Sequence, residues 1–194
     1  MRIIGGSYRN KLLKAPKGDK TRPTLAILRK ALFDIVQAHI TDVHFLDLFA
    51  GSGLIGLEAL SRGAAHTTFV ENDRAALHAI KENIKILHLE KQTSILPFDA
   101  LHALRTLAKK KKAFDIIYID PPYTLIESSP ILHDLLLFID THALLAKEGI
   151  LFIEAPASVK PPALTLTSLQ HLNSRTFSDT ILHQYRRLHL ITNP

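Results

Sequence analysis

The residues of this 194-residue chain with the clearest chemical potential are Asp120, Pro121, Pro122 and Tyr123. The carboxylate of Asp120 accepts hydrogen bonds. So does the carbonyl of Pro121, whose backbone is stiffened by the proline that follows. Two acceptors held apart suit a planar amine, one N–H to each, and Tyr123 offers a ring on which a flat base can stack. The preceding run Ile116-Ile117-Tyr118-Ile119 reads as a buried strand that the prolines stop. Asp120 then stands at the carboxyl end of a strand, the edge where open α/β sheets bind ligands. The plainer alternative is a strand ending in a proline turn, with Tyr123 as packing.

A second group lies in Asp47-Leu48-Phe49-Ala50-Gly51-Ser52-Gly53-Leu54-Ile55-Gly56. Glycines let a strand turn sharply into a helix and let a ligand approach the backbone, and the helix start supplies free N–H groups. Glu71 closes the next expected strand, where a carboxylate can receive two ribose hydroxyls. Gly-x-Gly-x-x-Gly with a later acid also fits a dinucleotide site. Asp47 favours a cationic amino-acid group over a pyrophosphate at the turn, and Asp99 can meet an adenine amine. These acids serve equally as helix and turn caps, Asp99 above all.

The elements that must position these residues alternate. Strands are expected over 43–49, 67–71, 93–96, 114–119 and 150–153. Helices are expected over 54–61, after Asp73, after Asp99 and from Ser129-Pro130, since proline suits a first helical position. An earlier helix, with Thr24 as cap and Leu25, Leu28, Leu32, Ile35 and Val36 at helical spacing, precedes them. Regular strand–helix alternation predicts a parallel sheet with helices on both faces. After Glu154 the pattern changes, and extended stretches over 169–177 and 181–191 around Ser178-Asp179-Thr180 predict a terminal antiparallel hairpin. At the other end, strands over 2–4 and 11–13 joined by Gly5-Gly6 predict a small hairpin.

Composition narrows the class. Hydrophobic content of 46% and charged content of 22% suit a globular domain with a sizeable core. No apolar run approaches the roughly 20 residues that span a bilayer, and nothing at the start reads as a signal peptide. With no cysteine there is neither a disulfide nor a thiolate metal site, and a cytoplasmic location is expected. The 11 histidines show no metal-ligand spacing, so no metal is expected. Net charge is +6, yet residues 1–30 hold nine Lys and Arg against Asp19, a net +8, which leaves −2 for the rest. A basic segment on a nearly neutral body points to a polyanion. The run Lys109 to Lys112 reads as a solvated helix end.

Asp120 to Tyr123 resembles the Asp-Pro-Pro-Tyr motif of amino-methyltransferases, and the alternation with its terminal hairpin resembles their fold. The chain as a whole resembles the RsmD-type methyltransferases, which methylate the exocyclic amine of a guanine in small-subunit ribosomal RNA. The match covers Arg2-Ile3-Ile4-Gly5-Gly6, Arg9, Arg22-Pro23-Thr24, Leu32-Phe33, the span from Asp47 to Gly63 including Glu58, Ser61 and Arg62, then Glu71, and Asp120 to Tyr123. It departs at Leu25-Ala26 and Lys30, where the family usually carries an Asp-Arg pair and an acid.

The resemblance implies an α/β, Rossmann-like class I methyltransferase fold, a seven-stranded mostly parallel sheet with helices on both faces. Residues 1–23 would form a basic RNA-contacting hairpin and loop, and residues 24–194 the catalytic domain. It implies S-adenosylmethionine held by Asp47, Phe49, Ala50, Gly51, Gly53, Glu71, Asn72, Asp99, Ala100 and Asp120. Catalysis would fall to Asp120, Pro121, Pro122 and Tyr123, and RNA contacts to Arg2, Arg9, Lys11 and Arg22. The partner would be 16S rRNA in a 30S particle or assembly intermediate, and the protein a monomer. Methylation of DNA adenine N6 or protein glutamine N5 could use the same motif. A nicotinamide oxidoreductase accounts for Gly51 to Gly56 but leaves Asp120 to Tyr123 idle, and a non-catalytic RNA-binding protein is a further alternative.

Overall fold

Short apolar runs become strands, and the longer stretches of helical period between them become helices, in the computed structural model, which describes residues 1–16 and 26–188. The chain begins with α1 (Ala26–Val36), β1 (His44–Leu48), α2 (Leu54–Ser61), β2 (His66–Val70), α3 (Arg74–Leu87), β3 (Thr93–Leu96) and α4 (Ala100–Lys109). There follow β4 (Phe114–Ile119), α5 (Tyr123–Ser128), α6 (Ile131–Thr141), β5 (Leu145–Pro156), β6 (Leu169–Phe177) and β7 (Thr180–Arg187). The seven strands form one sheet in the order β3-β2-β1-β4-β5-β7-β6. β1 to β3 pair in parallel, as do β4 and β5, while β7 runs antiparallel to both β5 and β6. This is the expected mostly parallel α/β sheet with an antiparallel end. Thr24 and Leu25, expected at the start of α1, lie outside the described residues, as does Arg22.

Two compact units divide the chain, Met1–Ala103 and Leu104–Pro194. In the first, Phe45, Leu46, Leu48 and Phe69 are fully buried with Leu28, Leu32 and Phe33 of α1 and Leu57 of α2. Each such side chain contributes about 1.5–3 kcal/mol of burial free energy. Asp73 caps α3 as its sequence position suggests, its carboxylate accepting the Ala76 N–H at 2.8 Å. Helix α3 buries Ala76, Ala79, Ile80, Ile84 and Leu87 and stops at His88, in left-handed conformation.

The N-terminal segment forms the expected small hairpin with a longer turn. Its arms pair antiparallel at Arg2 and Leu12, with the Ile3 N–H on the Lys11 carbonyl (3.1 Å), the Asn10 N–H on the Ile3 carbonyl (2.9 Å) and the Leu13 N–H on the Met1 carbonyl (2.8 Å), and the chain reverses through residues 5–10. Gly5-Gly6 opens that turn and is also a docking point. Ser61 of α2 accepts the Ser7 N–H on its carbonyl (2.7 Å), donates its hydroxyl to the Gly5 carbonyl (2.6 Å) and accepts the Tyr8 N–H on that hydroxyl (2.9 Å). One turn earlier, fully buried Glu58 accepts the Ile4 N–H at 2.8 Å and pairs with Arg62 at 2.9 Å and Arg29 at 3.8 Å. Arg29 in turn donates to the Arg2 carbonyl at 3.1 Å. The opening motif and the Glu58-Ala59-Leu60-Ser61-Arg62 stretch are thus two sides of one contact. Further along, Asn83 of α3 accepts the Lys14 N–H and donates to the carbonyls of Lys14 and Ser52.

In the second unit, β4 and β5 bury Ile116, Ile117, Ile119, Leu151, Phe152 and Ile153, with Leu132, Leu135, Leu136 and Ile139 of α6. β5 runs longer than expected, since Gly149 and Pro156 fall inside it. Helix α5 is an addition to the expected elements. Pro122, at φ −52° and ψ 136°, caps it, a place where a residue without an N–H costs little. Lys109 to Lys112 end α4 in solvent, as expected. The start of β6 is gripped by Asp140, buried near the end of α6. Its carboxylate accepts the N–H and hydroxyl of Thr167, the N–H and hydroxyl of Ser168, and the N–H of Leu169.

Burial pushes the Asp140 carboxyl up, but the Ser168 and Thr167 donors outweigh it and hold the group below its ordinary value. A depressed folded value means that this contribution is present above the unfolded carboxylate pKa of about 4 and lost as pH falls through the folded one. We expect Asp140→Ala to cost about 3 kcal/mol at neutral pH. In urea titrations its gap from the wild type should narrow in acid. A gap that stays constant from pH 7 to pH 3 would show that the charge is irrelevant.

Candidate active site

At the carboxyl end of β1 the backbone enters left-handed conformations at Phe49 (φ 62°), Gly51 (φ 54°) and Gly53 (φ 78°) before α2 begins. For phenylalanine this is an unusual conformation, of the kind that collects at ligand sites. The loop is anchored by the Ala50 N–H on the Val70 carbonyl at 3.0 Å and the Gly53 N–H on the Ala50 carbonyl at 2.7 Å. Gly56 serves packing instead. A Cβ there would stand 2.4 Å from the Phe69 ring, so its absence lets α2 lie against β2.

Three acids surround this loop. Asp47 is 1% exposed and its Oδ2 accepts the Gly56 N–H at 3.0 Å. Burial, partly offset by that N–H and reinforced by Glu71, raises its pKa to about 8. The buried surroundings thus disfavour the charged form of Asp47, and a cation beside it would favour that form. Glu71 accepts the Gly51 N–H on Oε2 at 2.8 Å, and the Asn72 and Asp73 N–H groups on Oε1 at 2.8 and 2.9 Å. Its own N–H donates to the Leu96 carbonyl of β3 at 3.3 Å. Asp99 caps α4, accepting the His102 N–H at 2.9 Å. Ala100 is buried, while Phe98 lies open to solvent beside the His102 ring, 4.5 Å between centroids.

This loop fits an adenosyl amino acid. A Cβ placed on Gly51 meets nothing within 4 Å, so the face of the loop beneath Glu71 is open to a ligand. Asn72, next to Glu71, and Phe98 and Asp99, just after β3, are exposed and offer polar and aromatic surface. Asp47, Phe49, Ala50, Gly51, Gly53, Glu71 and Asn72 thus belong to one loop and the strand end that holds it.

In the second unit, β4 delivers half-buried Asp120 and buried Pro121 to its carboxyl end. The Pro122 carbonyl is taken by α5, accepting the N–H groups of Leu125 (2.9 Å) and Ile126 (3.2 Å). Tyr123 is fixed from across the sheet: its hydroxyl lies 3.0 Å from Oγ1 of Thr180, which is 2% exposed. Sequence alone places Thr180 in a turn and misses this contact. Nothing local ties a hairpin residue to a tyrosine 57 positions away. On β4 itself, the Tyr118 hydroxyl donates to Glu154 of β5, both side chains being buried. In the sequence Glu154 marks only a boundary.

Arg2, Arg9 and Lys11 are exposed on the docked N-terminal segment, and Arg22 lies outside the described residues. Among the described residues no group of three or more His, Asp or Glu is arranged to hold a metal ion, and no helix is long and apolar enough to cross a membrane.

Comparison with known proteins identifies the family. The family model described as conserved hypothetical protein 95 matches residues 1–186. YlbH of Bacillus subtilis, a candidate rRNA methyltransferase, is 36% identical over 187 residues, covering 96% of this chain and 99% of its own. Ribosomal RNA small subunit methyltransferase D of Escherichia coli is 34% identical over 155 residues, 80% of this chain and 74% of its own. Among solved structures, YhhF of Escherichia coli, a candidate methyltransferase, superposes with a TM-score of 0.80 at 30% identity, covering 97% of this chain and 98% of its own. The chain belongs to the conserved hypothetical protein 95 family, the RsmD family.

Proposed function

We propose that the protein is an S-adenosylmethionine-dependent methyltransferase acting on the exocyclic N2 amine of a guanine in 16S rRNA. The observation that carries this reading is the end of β4: the acid Asp120, the buried Pro121 and a tyrosine ring fixed through Thr180. Family membership and the rRNA methyltransferase names of the relatives support the RNA substrate. Asp47, Phe49, Ala50, Gly51, Gly53, Glu71, Asn72, Asp99, Ala100 and Asp120 hold the cofactor in this proposal. Glu71 receives the ribose hydroxyls and Asp99 the adenine amine, while Asp47 ionises beside the amino-acid cation. Bound S-adenosylmethionine supplies an electrophilic methyl group on a sulfonium.

The chain's own residues do the rest. An aromatic exocyclic amine is a poor nucleophile because its lone pair is shared with the ring. Asp120 and the Pro121 carbonyl accept its two N–H bonds, which fixes the amine, draws its lone pair from the ring onto nitrogen and aims it at the methyl group. Orientation of this kind supplies several kcal/mol of a barrier, about 7–11 in ideal cases. The same acceptors stabilise positive charge as it grows on nitrogen. Asp120 need not be a strong base: the nitrogen becomes acidic once the methyl moves from sulfur to it, and its extra proton passes to the Asp120 carboxylate. Tyr123 stacks on the base after it leaves the RNA stack. Arg2, Arg9, Lys11 and Arg22 grip phosphates, so RNA binding weakens with salt. Residues 1–23 form the RNA-contacting part and residues 24–194 the catalytic domain; the protein works as a monomer in the cytoplasm on a 30S particle or assembly intermediate.

The test is incubation with tritiated S-adenosylmethionine and either 16S rRNA or 30S particles from a strain lacking the native enzyme, followed by nucleoside analysis. Label in N2-methylguanosine is expected. Label in N6-methyladenosine of DNA, or in protein glutamine, with none in guanosine, would replace the substrate and keep the Asp120 chemistry.

A further inference from the structure

We propose that Glu154 reads the N1–H of the target guanine and thereby selects guanine over purines with an acceptor at that position. The proposal rests on the guanine-N2 reading above. In the β4–β5 register Ile119 lies opposite Ile153. The next residues, Asp120 just past the end of β4 and Glu154 inside β5, therefore lie side by side about 4.8 Å apart on the same face of the pleat. Tyr118, two residues before Asp120, shares that face by alternation. Its hydroxyl donates to Oε2 of Glu154, which orients the carboxylate. Glu154 is 6% exposed, and in such surroundings a hydrogen bond is stronger and a mismatch more costly than in water.

Guanine presents adjacent donors on its Watson–Crick edge, the N2 amine and then N1–H. Asp120 and the Pro121 carbonyl accept from the first, and a carboxylate on the neighbouring strand is the matching acceptor for the second. Adenine and 2,6-diaminopurine carry an acceptor at N1, which a carboxylate can meet only by carrying a proton, whereas guanine N1–H is met by its acceptor form. 2,6-Diaminopurine keeps the N2 amine while changing N1 and the C6 group, so it separates recognition of that edge from the reacting amine, and the Glu154 variant assigns the N1 part. Sites that hydrogen-bond a substrate group reject analogues that lack it far more strongly than apolar pockets do. With Tyr118 donating to its carbonyl oxygen, a glutamine at this position would turn its NH2 toward N1 and favour the analogue.

The test uses the full-length protein and 30S particles reconstituted with 16S rRNA carrying either guanosine or 2,6-diaminopurine riboside at the mapped target. The wild type should prefer guanine by at least about 100-fold in kcat/KM. Glu154→Gln should reduce that ratio by more than about 10-fold. Its S-adenosylmethionine Kd by calorimetry and its melting temperature should match the wild type. Tyr118→Phe, which removes only the orienting hydroxyl, should reduce the ratio in the same direction and serves as the test if the glutamine variant does not fold. An unchanged ratio in the folded variants, or equal loss on both substrates, would overturn the role of Glu154. Failure of the wild type to methylate guanine would instead overturn the parent reading.

Discussion

Asp120→Ala lowers the rate of methyl transfer by about 10³-fold or more, the scale set by removing a preorganised polar partner of a transition state. In our proposal Asp120 fixes one N–H of the amine and faces the charge that develops on nitrogen, so its loss removes orientation and electrostatic stabilisation together. Truncation leaves the start of α5 at Pro122 and the Tyr123–Thr180 contact in place, since neither runs through the Asp120 side chain. Asp120 is also among the residues proposed to hold S-adenosylmethionine, but its share there is small beside the glycine loop and Glu71, which retain their contacts, so cofactor affinity should stay within about threefold. Single-turnover kinetics on 30S particles reads the first quantity and calorimetry the second. Asp120→Asn, which keeps one acceptor, should fall between the wild type and alanine. Wild-type turnover in the alanine variant would remove Asp120 from the reaction, whereas a large rise in cofactor Kd with an intact single-turnover rate at saturation would make it a cofactor ligand only.

Much of this site is legible in sequence because its determinants are local. The strand before Asp120 is an apolar run closed by two prolines, and the cap on α3 is an aspartate three residues before the N–H that it accepts. What escapes the sequence is set by contacts between distant residues. Gly5-Gly6 has the composition of the hairpin turn that it opens, yet its docking on Ser61 cannot be read from that composition. Thr180 and Tyr123 meet only because β7 returns antiparallel to β5, and Asp140 finds Thr167 and Ser168 in the same way. Helix α5 is hidden because two prolines read as a stop, although a proline that ends one element can also begin a helix. Asp47 is legible as a loop acid, but its charge state depends on a burial that periodicity does not reveal.

Gly6→Ala undocks the N-terminal segment. Gly6 holds a φ of +74°, and an added Cβ would lie 1.7 Å from the Ser61 carbonyl oxygen and 2.2 Å from its carbon. Both are backbone atoms of α2, so no rotamer change relieves the clash and the segment itself must move. Left-handed strain costs about 1–3 kcal/mol. Breaking the Ser7 and Tyr8 hydrogen bonds to Ser61 adds to it, and we expect a total loss of about 3 kcal/mol. The exposed cations Arg2, Arg9 and Lys11 then lose their fixed spacing. RNA affinity should fall by about 10-fold or more, with a shallower salt dependence. Arg9→Ala separates charge from docking: it should leave melting unchanged and reduce the salt slope by about one phosphate contact. Thermal melting and filter binding across a salt series read both effects. If Gly6→Ala melts earlier yet its folded fraction binds RNA with wild-type affinity and slope, the segment braces α2 without touching RNA. If both variants weaken RNA binding while only Gly6→Ala loses stability, the opening motif serves to hold a cationic surface rigidly on the helix that begins at the glycine loop.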